Sequence, residues 1–415
     1  MVKIKKFFSS LGPGVITGAS DDDPSGIATY SIAGAQAQYS TLWTTLFTFP
    51  LMSGIQEMAA RIGIVTGKGL AGVMRVHYPK PVVLLIAAVV GTANIINIGA
   101  DLAGMAAASR LVIDLHPIII SFFFTLFIIF SMVLVPYHVF TKYLKWLTLA
   151  LFAYIFAGFI VKQDWIKIFI DTLVPQIELS PSYILLVVAI FGTTISPYLF
   201  FWQADEEVEE IEEDRKVRKL KRHIVTKHEL KNMRGDVTLG MFFSNVVMFF
   251  IIATTASTLF VNGIHDIQTA DQAAAALKPL AGSASSLLFT LGIVGTGLLA
   301  IPVISGSAAY ALSEALGWKE GMNKKFREAK MFYIVIIVAT LIGFLMTLTN
   351  VNPFDALFFT AVLYGAISPI LILFMLHIAN KKSIMGTNTN SLLSNFLGLS
   401  AFFIMAAAIL LLVFL

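Results

Sequence analysis

The sequence predicts an all-α integral membrane protein: two inverted repeats of five helices each, then an eleventh helix, with the first and sixth spans unwound at the middle. Three observations predict it. The 415 residues are 57% hydrophobic and only 13% charged, whereas a soluble domain carries about 25% charged residues. Eleven apolar stretches approach or exceed the about 20 residues that a helix needs to cross a bilayer; they lie near 11–38, 40–66, 81–110, 117–136, 143–161, 182–204, 237–261, 285–315, 331–349, 354–378 and 392–414. The first and the sixth share a proline in polar surroundings near the middle.

No strand alternation and no soluble domain interrupts these stretches, so residues 1–415 read as one transmembrane domain. Its first repeat is 1–180, its inverted second repeat 181–380, and the extra helix 390–415. The N-terminal run Met1-Val-Lys-Ile-Lys-Lys-Phe-Phe is basic but lacks a small-residue cleavage site, so it reads as mature sequence. Cysteine is absent, which excludes disulfides, a thiol nucleophile and Cys-ligated zinc. The net charge of +4 is explained by loop topology. With the N-terminus inside, most of the 29 basic residues fall on the cytoplasmic face, nine of them between Arg215 and Arg234, and only Arg110, Lys162, Lys167 and Lys278 fall outside. That asymmetry is the positive-inside pattern, and it leaves a nucleic-acid partner unsupported. The expected location is the plasma membrane, multi-pass, with a cytoplasmic N-terminus and an extracellular C-terminus.

The two breaks are Ser20-Asp21-Asp22-Asp23-Pro24-Ser25-Gly26 and Gly192-Thr193-Thr194-Ile195-Ser196-Pro197. Backbone groups freed at membrane depth are tolerated only where they line a cavity or bind something. Matching interruptions in two halves point to an inverted-repeat transporter with its site at the midplane. Asp23 stands about 18 Å along the helix from Leu11, at about 1.5 Å per residue, near the middle of a ~30 Å hydrocarbon core. A carboxylate at that depth, beside unwound carbonyls, suits a cation, and three consecutive aspartates disfavour an anionic substrate. Asp22 shares no helix face with Asp23 and is expected to line an entrance.

Soft and borderline metals prefer His, Cys or Met, whereas magnesium takes oxygen ligands and keeps several waters. Neither break contains His, Cys or Met; Ser196, Thr193, Thr194 and Gln203 are the nearby polar groups. The chemistry is all oxygen, which fits a hard, hydrated ion. The competing structural reading is that Ser196 and the threonines only satisfy helix carbonyls. Asn97 and Asp101 share a face of the third span at i,i+4. Glu57 and Arg61 have the same spacing and are expected to pair with each other, and Glu314, near a helix end, is expected to be solvated. The histidines lie mostly in loops or near helix ends, with none placed for metal ligation. The run Asp205-Glu-Glu-Val-Glu-Glu-Ile-Glu-Glu-Asp214 continues into Arg215–Arg222. With Glu212/Lys216 and Asp214/Arg218 at i,i+4, it reads as a solvated extension of the sixth span, the alternative being a cation-attracting vestibule.

Gly12-Pro-Gly-Val-Ile-Thr-Gly leading to Asp23-Pro24-Ser25-Gly26, Ala60-Arg-Ile-Gly-Ile-Val-Thr-Gly67 and Gly99-Ala-Asp101-Leu-Ala resemble the Nramp divalent-metal transporter family. The resemblance covers the first ten spans and implies a LeuT-type fold. Where typical members read Asp-Pro-Gly-Asn, this chain has Gly26 in the last position. Where they read Met-Pro-His, it has Ser196-Pro197-Tyr198. Gly104 replaces the acidic residue three positions after Asp101, and the ninth span has no arginine. These departures are similar to the Nramp-related magnesium transporters (NRMT), which implies Mg2+ and Mn2+ as transported ions, no cofactor, and no obligatory proton coupling. By position, the resemblance implies a site of Asp23 and the carbonyls of Ser20 and Thr193, with Gly26 and Ser196 leaving space for water.

The alternative within the family is a proton-coupled Mn2+/Fe2+ importer, disfavoured by the lost methionine and histidine. A sodium-coupled amino-acid symporter is disfavoured by Asp21–Asp23. An intramembrane aspartyl protease with Asp23 and Asp101 as its dyad would want Gly-x-Gly-Asp, which Ile98-Gly99-Ala100-Asp101 does not supply. The expected partners are divalent ions and the bilayer, with no obligate protein partner evident.

Overall fold

The computed structural model describes residues 12–135, 150–217 and 225–414, and these contain helices and connections only. The first span is two half-helices, α1 (Pro13–Asp21) and α2 (Pro24–Ala37). The chain continues through α3 (Trp43–Thr66), the short α4 (Leu70–His77), α5 (Lys80–Ser109) and α6 (Pro117–Leu134), then α7 (Phe152–Ile160) and α8 (Trp165–Leu173). The sixth span is again split, into α9 (Pro181–Thr194) and α10 (Pro197–Val217). The remaining spans are α11 (Lys227–Thr258), α12 (Ser285–Leu316), α13 (Lys330–Met346), α14 (Pro353–Asn380) and α15 (Leu392–Phe414).

Local sequence sets these boundaries. Proline occupies the first turn of α1, α2, α6, α9 and α14, where its missing N–H would have no helical partner in any case. Ser180 and Asn352 cap α9 and α14, and Thr226 with Glu229 forms a capping box on α11. The Arg-Ile-Gly-Ile-Val-Thr-Gly motif closes α3 because Gly67 adopts φ 63, a left-handed conformation that glycine tolerates without penalty.

Seven helical stretches among the described residues are long and apolar enough to cross a membrane. The difference from eleven has physical causes. Each half-helix of the first span is too short alone, α13 has 17 residues, and α3 carries threonines, Gln56, Glu57 and Arg61 among its apolar residues. In the fifth span residues 143–149 lie outside the described residues, and the helix α7 that follows has 9 residues. The basic residues at 3–6 and 142–145 also lie outside.

The two repeats engage reciprocally: α3, after the first break, packs on α10, and α11, after the second, packs along α1 and α2. Small residues allow both approaches. A Cβ on Gly63 would strike the Ala204 carbonyl, and Gly18 and Gly240 meet backbone to backbone, the close contact that brings helices together where the hydrophobic effect is absent. At the centre α5 runs along α12. The periphery is apolar: Phe123 and Phe130 on α6 and Phe403 and Val413 on α15 are exposed, as lipid-facing side chains must be.

Two expectations need correction. Glu314 is buried, and its carboxylate accepts the Gly69 and Gly72 N–H groups at 2.8 and 2.7 Å. It caps the free N-terminus of α4 from a neighbouring helix. The acidic run is not solvated at its start, because Asp205 and Glu207 are buried. Lys216, Asp214 and Arg218 have side chains outside those described, so neither the Glu212/Lys216 nor the Asp214/Arg218 pair is seen. The Glu57–Arg61 pair forms at 3.1 Å, and Arg61 also reaches the Asn388 carbonyl and Asn390, tying α3 to the approach of α15.

Candidate metal site

Both breaks come together in the interior. In the first span the helix stops at Asp21, Asp22 leaves the helical region (φ −83, ψ 53), and Asp23 is extended (φ −68, ψ 172). Asp23 then starts α2 by accepting the Gly26 N–H on Oδ1 at 2.7 Å, an N-cap that Asp-Pro-Ser-Gly encodes directly. Its other oxygen, Oδ2, accepts from the Asn97 amide of α5 at 2.9 Å. In the sixth span, Ile195 (φ −116, ψ 61) ends α9, and Pro197 starts α10.

Tyr198 joins the two breaks by donating its hydroxyl to the Ser20 carbonyl at 2.9 Å. Gly26 faces the second break directly: a Cβ there would stand 3.1 Å from Thr193 Oγ1 and 3.3 Å from the Asp21 carbonyl. Tyr30 and Thr194 bridge the breaks once more, at 3.2 Å.

Of the residues singled out in the sequence, Asp23, Ser20, Gly26, Thr193 and Asn97 meet at this junction. Asp101 lies one turn beyond Asn97 on α5, fully buried, and among the described residues neither carboxylate oxygen meets a hydrogen-bond partner within 3.5 Å. Ser196 donates to the Thr193 and Gly192 carbonyls at 2.6 and 3.0 Å, and Thr194 donates to Ile190. Both hydroxyls therefore satisfy the carbonyls at the end of α9. Asp22 is not at an entrance; it is buried and, with Asp21, faces the Ser244 hydroxyl of α11, at 3.3 and 2.6 Å respectively. Gln203 donates its amide to Glu207, one turn further along α10, at 2.9 Å.

Sequence reasoning missed the aromatic wall. Tyr198 stacks obliquely on Tyr364 with ring centroids 5.5 Å apart, and the Tyr364 hydroxyl donates to Asn94 at 3.1 Å. Asn94 in turn donates to the Ile304 carbonyl, fixing α5 against α12. The signal was present in Asn94, which is three positions before Asn97; Tyr364 and Ser244 sit in apolar runs that mark nothing by themselves.

The electrostatics are one-sided. Asp21, Asp22, Asp23 and Asp101 are all buried, and among the described residues no Lys or Arg pairs with any of them. The Asn97 carbonyl oxygen and the Ser25 hydroxyl, both buried here, also lack partners. Unpartnered buried oxygens are costly unless something positive satisfies them. A cation fits this donor set. Among the described residues, however, no three Asp, Glu or His side chains converge closely enough to chelate an ion, so the remaining contacts would run through carbonyls, amides or water.

Residues 14–415 match the family described as Natural resistance-associated macrophage protein-like, Nramp. Among similar proteins, the divalent metal cation transporter MntH of Caldanaerobacter subterraneus subsp. tengcongensis is 24% identical over 412 residues, covering 97% of this chain and 92% of its own. MntH of Pectobacterium carotovorum is 25% identical, covering 92% of this chain and 88% of its own. Among solved structures, the Eremococcus coleocola manganese transporter superposes with a TM-score of 0.75 at 17% identity, over 97% of this chain and 86% of that one. Mhp1, a nucleobase-cation-symport-1 family transporter, superposes with a TM-score of 0.55 at 11% identity, over 97% of this chain and 92% of that one. With the family matched over nearly its whole length and the LeuT-type fold shared with both structural neighbours, the chain is a multi-pass membrane protein that belongs to the Nramp family.

Proposed function

We propose that this protein is an alternating-access transporter of divalent cations, most of all Mg2+ and also Mn2+, that binds a partly hydrated ion at the junction of the two breaks and moves it without proton coupling. It would do so in the plasma membrane, with the basic loops in the cytoplasm. The observation that carries the reading is the donor set around Asp23: one carboxylate, an amide and backbone carbonyls, with glycine at 26, serine at 196 and no sulfur or imidazole in either break. Magnesium sheds water reluctantly and accepts oxygen only, whereas a thioether favours softer ions. The relatives named for divalent metal and manganese transport support the ion class.

One observation favours a second reading. Asp101 is buried without a partner, and an unpaired intramembrane carboxylate is a natural proton carrier. A proton-coupled Mn2+/Fe2+ importer would use it so.

Uptake into proteoliposomes of purified protein, scanning Mg2+, Mn2+, Fe2+ and Ca2+, tests the proposal. Saturable Mg2+ uptake, with Mn2+ competing, is the expected result. Uptake of Mn2+ and Fe2+ with no Mg2+ uptake or Mg2+ competition would overturn it in favour of the second reading.

A further inference from the structure

The acidic run at 205–213 has no part in the central site, yet Asp205 and Glu207 at its start are buried. Counting along α10 from the break, Tyr198, Trp202, Asp205, Glu209 and Glu212 recur at intervals of three and four, so they share one helix face. That face turns toward α12. Trp202 lies against Gly306, where a Cβ would be 2.7 Å from the indole ring, and Glu209 takes the Tyr310 hydroxyl. Beyond Trp202 a cavity of about 330 Å³ opens between α10, α12 and the turn before α4.

Six carboxylates line it, those of Asp205, Glu209, Glu212, Glu213, Glu314 and Glu320, against the two lysines Lys68 and Lys324. The backbone donors around the cavity are bonded to other carboxylates. Glu314 holds the Gly69 and Gly72 N–H groups, Glu209 holds the Met322 and Asn323 N–H groups, and Lys324 donates to the Glu320 carbonyl. Asp205 is left over. It is 3% exposed, its carboxylate lies against the bare backbone of Gly69, and among the described residues its Oδ2 has no hydrogen-bond partner. A buried carboxylate oxygen facing a cavity needs a proton or a cation.

We propose that this cavity is a second divalent-cation site, in which Asp205 and the surrounding carboxylates hold a hydrated ion through its waters. Among the described residues no three acids converge tightly enough to strip and chelate an ion. The volume has room for about ten waters at about 30 Å³ each, which accommodates an ion with its shell intact. Magnesium keeps such a shell readily. The inference goes beyond transport at Asp23, since this site would load an ion whether or not the central one does. The shared helix face would place that ion one aromatic layer, Trp202, away from the breaks.

The test is Mn2+ binding to the purified full-length protein in lipid nanodiscs, quantified by electron paramagnetic resonance in an Asp23→Ala background, so that the outer site is read alone. Asp23→Ala should retain a bound Mn2+ that cobalt(III) hexammine, an exchange-inert analogue of a hydrated ion, displaces. Adding Asp205→Asn should weaken that binding about tenfold or more, and adding Glu320→Gln, at a less buried wall position, should weaken it severalfold. If Asp205→Asn lowers the melting temperature sharply, Glu320→Gln decides the matter. Absence of bound Mn2+ in Asp23→Ala would overturn the proposal. So would affinity unchanged in both wall variants, or binding that the hexammine complex does not displace.

Discussion

Asp23 does two jobs with two oxygens. Oδ1 caps α2 through the Gly26 N–H, and Oδ2 takes the Asn97 amide. Each oxygen keeps a further lone pair for an ion. Replacing Asp23 removes the charge at the junction, so Asp23→Ala is predicted to reduce Mg2+ uptake to the rate of empty vesicles while the protein still elutes as a folded species. Near-normal uptake in that variant would move the site elsewhere. Ser196 is a different case. Its hydroxyl is committed to the Thr193 and Gly192 carbonyls, so its contribution is chiefly what it leaves free: volume and the absence of sulfur. Ser196→Met fills that volume and adds a thioether, and it should lower Mg2+ uptake relative to Mn2+ uptake by at least about threefold, because magnesium uses sulfur poorly. Competition uptake on one preparation reads the ratio directly, and an unchanged ratio would show that position 196 does not set selectivity.

At the scale of the helices, the half-helix α1 is held by its neighbour rather than by its own sequence. Gly12 begins α1 with no side-chain cap of its own, and Asp236 of α11 accepts the Gly12 and Gly14 N–H groups at 2.9 and 2.7 Å. Below that cap α1 and α11 touch through Gly14, Gly18 and Gly240. Gly235, on the same helix, has nothing within 4 Å of where its Cβ would stand. Gly240→Leu must therefore push α1 off α11, at a cost of about 1–3 kcal/mol, whereas Gly235→Leu should be nearly neutral. Thermal melts of the two variants in one detergent check this, and equal shifts would show that α1 does not depend on the glycine contact. Little of this was legible beforehand. The breaks were readable because proline and three aspartates interrupt an apolar run. The partners of the broken ends were not, because Asp236, Ser244 and Glu314 lie more than 200 residues along the chain from the groups they satisfy, and no local pattern marks them.

Across the molecule, the two-fold repeat was legible because one oddity occurs twice, five spans apart, and the reciprocal packing of α3 on α10 and of α11 on α1 and α2 follows from it. The interior chemistry was legible in part. Asp23, Asn97 and Asp101 stood out as polar residues in apolar spans, and Tyr198 stood out only as a departure from the family's histidine, while Tyr364, its partner in the wall of the junction, was hidden because a tyrosine in a membrane span is unremarkable by type. The reading of Asp22 as an entrance residue failed because helix-face arithmetic does not apply across an unwound turn, where Asp22 leaves the helical region. What the whole molecule does with an unpaired Asp101 decides the mechanism. If the ion crosses partly hydrated and alone, Asp101 keeps its protonation state throughout the cycle. Vesicles that trap a Mg2+ indicator and a pH-sensitive dye together read both quantities in one trace. On this account Mg2+ enters the protein-containing vesicles while their lumen pH follows that of empty vesicles; an acidification that begins with the metal and scales with its uptake would contradict it.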